Sequence, residues 1–341
     1  MKKDFGLLPD GRQAFLYTIQ NKHITATLTD FGATLVSLWV PDKQGKLADV
    51  VLGYDSAAAY AEDNSCMGAV VGRNANRIAG AAFSMGGQTI HLQANDNGNS
   101  LHSLPDGYSH RLWQVAEHTE SAITFLLESP NGDQGFPGNA ELRVTYTVEA
   151  PATLSIRYRG ISDADTLFNL TNHSFFNLAG HDQPEKALSQ ELILPARTFA
   201  PSDERSIPTG EDRSVEGTPM DFRMGKVIGQ DIGADYEALR LQGGYDHTFE
   251  VFTEPCAILQ DPDSGRTMAV VTDCPGIHFY SGNYLAGNLG KGGAVYPRRS
   301  GMCLETHFYP DAVHKPQWRQ PMVKAGVPYR SETKFIFGCA E

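Results

Sequence analysis

The chain has 341 residues, enough for one large or two ordinary domains, and its 41% hydrophobic and 20% charged residues suit a globular protein with a real core. A net charge of −12 repels phosphate backbones and anionic lipid, so neither nucleic acid nor a membrane is an expected partner. No apolar run approaches the roughly 18 residues of a membrane span, the opening "MKKDFGLLPDG" is not expected to act as a secretory signal, and the five scattered cysteines, without a CxxC, suit reduced thiols in the cytoplasm better than disulfides or a thiolate zinc site.

In chain order, the elements are mostly short strands parted by turn residues. Pro-Asp-Gly at 9–11 is a turn, and 55–63, "DSAAAYAED", forms a short helix starting at Asp55 or Ser56. Gly-Gly at 86–87 turns the chain again, and 121–129 is a strand rich in β-branched and apolar residues. After Asn-Gly at 131–132, the segment 141–148 alternates Leu142, Val144, Tyr146 and Val148 on one face, and 153–160 does the same with Leu154, Ile156 and Tyr158. The segment 179–240 is rich in Asp, Gly and Pro and reads as long loops with short strands; 235–242 is a second, weak helix. Asp-Ser-Gly at 263–265 then leads into a strand at 267–273. Strands do not alternate with helices, so a parallel α/β fold is disfavoured. An all-β protein is expected, a large antiparallel sandwich with few short helices, and 1–341 reads as one domain.

Two strands carry the chemistry. In "LTNHSFFNL" (170–178), extended from Phe168, the even positions Phe168, Leu170, Phe176 and Leu178 face a core, while His173 lies on a polar face without charge. Taken alone, such a histidine is more often a hydrogen-bonded core residue than a catalytic one. In "GMCLETHFYPD" (301–311), Met302, Leu304 and Phe308 are apolar, and Cys303, Glu305, His307 and Tyr309 share the other face. Glu305 is a candidate general base, weighed against a glutamate on a solvent face. Weaker constellations are Arg73 and Arg77 in "GRNANRI" (72–78), His102 in "NSLH" (99–102) and Asp246 beside His247 in "GYDH" (244–247). Glu305 and His307 share a face as metal ligands would, but no HxH or HExxH motif supports a metal, and none is expected.

Taken together, and in this order, "GRNANRI", "NSLH", "DQGFPGN" (133–139), "LTNHSFFNL", "GYDH", "HFYSGN" (278–283) and "CLETHFYPD" resemble the galactose mutarotase (aldose 1-epimerase) family, and "TDFGATLVSLWVPD" (29–42) is similar to its opening strands. The resemblance implies a galactose mutarotase-like β-sandwich, Glu305 as general base and His173 as general acid. It further implies Arg73, Asn74, His102 and Asp246 as sugar-binding groups and Phe279 as a pocket wall. His307 departs from the glutamine of many relatives. The implied reaction interconverts the α and β anomers of aldohexoses such as galactose and glucose, the first step of galactose metabolism. It opens a hemiacetal by moving protons, with no redox change and no cofactor. The implied partner is a small aldose, and the chain is expected to be a monomer or homodimer. Glu305 and His173 are expected to flank one pocket about a sugar ring apart. Three other functions stay open at this point: an epimerase for phosphorylated sugars using Arg77, Arg298 and Arg299, a non-catalytic carbohydrate-binding module, and a metal-dependent jelly-roll enzyme.

Overall fold

Every second residue of the strand Ala140–Glu149, from Ala140 through Val148, is buried, and the residues between are partly exposed. Its neighbour Thr153–Ser162 pairs with it along its whole length, Tyr146 opposite Ile156 and Val144 opposite Tyr158. This is the one-sided burial that alternation dictates for an antiparallel sheet with one wet face. The structure, a computed structural model, describes residues 2–340.

Among the described residues, these strands sit in a nine-stranded sheet whose chain-terminal member, Tyr329–Cys339, is inserted between Thr153–Ser162 and Arg266–Thr272. A five-stranded sheet collects the N-terminal strands Lys2–Leu7 through Leu47–Asp49. A second five-stranded sheet runs Arg213–Ser214, Thr198–Ala200, Asp246–Glu250, Gly276–Tyr280, Cys303–His307. One apolar cluster joins all three: Ile19 and Leu35 from the first small sheet, Phe125, Ile156 and Phe335 from the large one, Phe249, Phe279 and Leu304 from the second. The result is a large antiparallel sandwich.

The two α-helices are short. Ser56 caps Ala57–Glu62 by accepting from the Ala59 N–H, and Glu237–Gln242 ends at Gly243, whose φ of 67° supplies the left-handed turn. The segment 179–240 is indeed loops with strands of two or three residues, a 3₁₀ helix at Pro184–Ser189 and the start of the helix Glu237–Gln242. No helix among the described residues is long and apolar enough to cross a membrane.

One expectation needs correction. The stretch around His173 is not one regular strand; only Thr171–Asn172 ladders, against Val70–Val71. The side chain of Asn172 then accepts from the N–H and hydroxyl of Ser174, a local bond that competes with the ladder, and Phe176 resumes pairing as isolated bridges to Val51 and Met302. The facing survives the break: Phe168, Leu170, Phe176 and Leu178 all enter the main core.

Candidate active site

A cleft of about 530 Å³ opens beside the second small sheet. Its floor is made by residues that alternation points the same way. Glu305 of Cys303–His307 is paired with His278 of Gly276–Tyr280, which in turn is paired with Thr248 of Asp246–Glu250, and Cys303, two residues before Glu305, is buried beneath. His173 arrives from the opposite side, its N–H bonded to Ala69 O and its C=O to the Gly68 N–H. His173 Nε2 lies 3.6 Å from Glu305 Oε1, and the two side chains are 8% and 2% exposed. The separation is far less than a sugar ring. That suits hemiacetal chemistry better than the expected spacing, because the hydroxyl oxygen and the ring oxygen are both bonded to C1.

The walls are polar and fixed. Arg77 donates Nε to Asp96 at 2.7 Å and still lines the cleft. His102, held at a left-handed φ of 55°, accepts the Asn76 N–H on Nδ1 at 3.1 Å. Its proton therefore sits on Nε2, leaving a donor free for a hydroxyl. Asp246 Oδ1 and His278 Nε2 are 2.7 Å apart, with His278 Nδ1 on the Thr248 hydroxyl at 2.9 Å. His102 meets His173 edge-on at 5.3 Å, and Phe175 lies against the other side of His173 at 5.1 Å. The outer rim is formed by Glu62 to Ser65 and by Tyr284, Leu285, Ala286 and Asn288.

Burial dominates the electrostatics. It pushes Glu305 well above the ordinary carboxyl range, the Asp246 charge adding to the rise and Arg77 opposing it. It pulls His173 down to about 4, and His102 well below its usual value. Asp246 is raised by burial too, but the hydrogen bond and charge of His278, with Arg77, bring it below the ordinary range, so it stays ionised. Burial thus favours the proton of the His173–Glu305 couple on Glu305. One oxygen of that carboxyl, Oε2, is buried without a partner.

Of the residues singled out in the sequence, His173, Glu305, His102, Asp246 and Arg77 come together in the cleft. Three residues that the resemblance implied for the sugar site do not. Arg73 is wholly buried with its guanidinium in the core: Nε on the Tyr108 hydroxyl, Nη1 on Pro137 O and Thr166 Oγ1, Nη2 on Ser129 Oγ. Gly72 before it has no room for a side chain, since a Cβ there would lie 2.4 Å from Leu170 and 2.6 Å from Tyr108. Asn74 turns its amide onto Ala75 O in its own loop. Phe279 faces the other side of its strand and stacks on Tyr245 at 5.1 Å, in the core. Their places in the cleft are taken by Arg77, Asn76, His278 and Tyr280. His307 lies behind the floor, stacked on His278 at 5.7 Å and donating Nδ1–H to Phe308 O at 2.6 Å. Arg298 and Arg299 reach Gly243 O and do not line the cleft.

A family model described as aldose 1-epimerase matches residues 16–335. A galactose mutarotase from Mus musculus is 39% identical over 342 residues, covering 98% of each chain. An aldose 1-epimerase from Escherichia coli (strain K12) is 35% identical over 339 residues, covering 97% of each. Among solved structures, an aldose epimerase homologue from C. elegans superposes with a TM-score of 0.89 at 31% identity, covering 96% of this chain and 100% of that one. A galactose 1-epimerase from Lactobacillus acidophilus NCFM, at 24% identity and a TM-score of 0.87 over 100% of this chain and 99% of its own, shares the fold.

Proposed function

This chain belongs to the aldose 1-epimerase family and is an isomerase of the mutarotase kind, and from that premise we propose that it interconverts the anomers of free aldohexoses such as galactose and glucose, with Glu305 as general base and His173 as general acid. The observation that carries the residue assignment is the 3.6 Å approach of His173 to Glu305 on the floor of the cleft. Arg77, His102, Asp246 and His278 hold the remaining hydroxyls, so that only the C1 end is free to turn.

In the forward step Glu305 carboxylate takes the C1 hydroxyl proton. The O–H electrons form the C1=O bond, the C1–O5 bond breaks, and O5 takes a proton from His173 imidazolium. The aldehyde rotates about C1–C2 and the same groups close the ring on its other face with reversed roles. Each of the two contributes roughly 10²–10⁴-fold. Ring opening turns a buried ion pair into a neutral acid and a neutral imidazole. That neutral distribution is the one burial favours, so the ion pair is the minor form of the couple, and what desolvation returns on ring opening offsets the cost of forming that pair.

The working couple carries one proton, which fixes the pH profile. A second proton enters near the value at which His173 is held, about 4. Below it Glu305 and His173 are both protonated and no base remains. The acid limb of kcat/KM for galactose is expected near pH 4, with full recovery on return to neutral pH. An acid limb near the ordinary histidine value of about 6.5 would contradict the assignment.

The free sugar is favoured over a sugar phosphate because Arg77 is the cleft's arginine and it is engaged by Asp96. Freshly dissolved α-galactose should lose its excess rotation at an enzyme-dependent rate in a polarimeter. Glucose 6-phosphate, followed by anomeric proton exchange in NMR, should gain little. A preference for the phosphate would overturn the reading. We further read residues 1–341 as one sandwich domain, which the apolar cluster shared by its three main sheets supports, and as a cytoplasmic protein, monomer or homodimer.

A further inference from the structure

We propose that His173, Cys303 and Glu305 form a site for a soft divalent cation such as Zn²⁺, with a fourth coordination position open to the cleft, so that the metal ion and the sugar exclude one another. One donor atom from each residue lies within 4.8 Å of the other two. The closest approaches run to opposite nitrogens of the ring, Cys303 Sγ 3.6 Å from His173 Nδ1 and Glu305 Oε1 3.6 Å from Nε2, so the imidazole must turn to offer one nitrogen to an ion shared with both. Zinc bonds of roughly 2.0–2.3 Å then draw the three donors in from their 4.8 Å spread. The backbone frame is fixed: Cys303 and Glu305 are alternate residues on one face of the last strand of their sheet, and His173 is clamped through its backbone to Gly68 and Ala69.

The charges also match. A thiolate and a carboxylate cancel the charge of M²⁺, and the imidazole enters neutral, so no net charge is buried. On binding, the thiol and carboxyl protons leave to solvent. Glu305 Oε2 is buried without a hydrogen-bond partner, so the carboxyl has an oxygen to offer. A sulfur, a nitrogen and an oxygen donor with one open position is a ligand set for Zn²⁺ or Co²⁺ and not for Mg²⁺ or Ca²⁺. The metal here is an inhibitor, not a cofactor, because it consumes both members of the proton-transferring couple. That inhibition rests on the acid–base reading above; the binding does not.

Co²⁺ titration makes the thiolate bond visible. The test uses the Cys339→Ser protein, which removes the one exposed thiol among the described residues. One equivalent of cobalt chloride should raise a near-ultraviolet thiolate-to-cobalt charge-transfer band, excess galactose should erase it, and Mg²⁺ should not. Adding Cys303→Ser should abolish the band. No band, a band untouched by galactose, or a band that survives Cys303→Ser would each overturn the proposal. Should the serine variant fail to fold, the galactose competition in its parent decides alone. In parallel, Zn²⁺ should inhibit mutarotation reversibly by EDTA. Continued turnover at saturating metal, with the band present and sugar-sensitive, would leave the metal site standing and fell the acid–base reading instead.

Discussion

Glu305→Gln is expected to lower mutarotation of galactose by about 10²–10⁴-fold while galactose still binds within a few-fold of its original affinity. The amide keeps the shape of the carboxyl but cannot take the C1 proton. It also keeps the neutral form that burial and the Asp246 charge favour at Glu305. The fold should therefore be unharmed, with an unfolding midpoint equal to or above that of the parent. His173→Asn should lose activity on a similar scale through the missing acid. Because the two residues pass a single proton between them, the double variant should be little worse than either single one. Polarimetry for rate, calorimetry for sugar binding and thermal melting separate these effects. Near-normal turnover in Glu305→Gln would remove it as the base, and independent, multiplying losses would argue against a coupled pair.

The largest effect on stability is expected at Arg73. Its guanidinium is wholly buried, bonds the Tyr108 hydroxyl, Pro137 O, Thr166 Oγ1 and Ser129 Oγ, and lies 5.6 and 5.7 Å from the ring centroids of Phe136 and Phe168. It thus ties the loop at 72–78 to the segment 129–138 and to the strand Thr166–Leu167. Arg73→Ala leaves those acceptors dry and opens a cavity, at a cost of about 3–5 kcal/mol. Lysine does not restore the fan of donors, so Arg73→Lys should recover only part of it. Molecules that still fold should bind galactose with an almost unchanged KM. Arg77→Ala should do the opposite, raising KM with little change in the denaturation midpoint, since its side chain is partly exposed and faces the cleft. A KM defect at Arg73 without loss of stability would return that residue to the sugar site.

The contrast between these two arginines shows where the sequence was legible. Alternation worked wherever the chain is extended. It placed Glu305 opposite Leu304, and it put His173 on the face away from Phe168 and Leu170 even though the strand there is broken. The strands at 121–129, 141–148, 153–160 and 267–273 were readable for the same reason, and both short helices were found within two residues. Alternation failed at "GRNANRI", where Asn76 takes a φ of 59° and the chain bends, so that spacing no longer tells which arginine faces the cleft. In "HFYSGN" the error was one residue: Phe279 was taken for the pocket wall, whereas His278 and Tyr280 face it and Phe279 stacks in the core. A one-residue slip exchanges the faces of a strand. What fixes the phase is the pairing of His278 with Glu305 and Thr248, a contact between segments distant in sequence. The proton arrangement was hidden as well, because it depends on how completely Glu305 and His173 are buried.

The central claim is that one couple, His173 and Glu305, acts on the two oxygens of the sugar's C1. The most direct measurement is a crystal structure of the inactive Glu305→Gln protein with galactose. The account predicts the C1 hydroxyl within hydrogen-bond distance of the residue 305 amide, the ring oxygen within that distance of His173 Nε2, and the far hydroxyls on Arg77, His102 and Asp246. A galactose bound with C1 toward the outer rim at Glu62 and Asn288, with neither oxygen near His173, would contradict it.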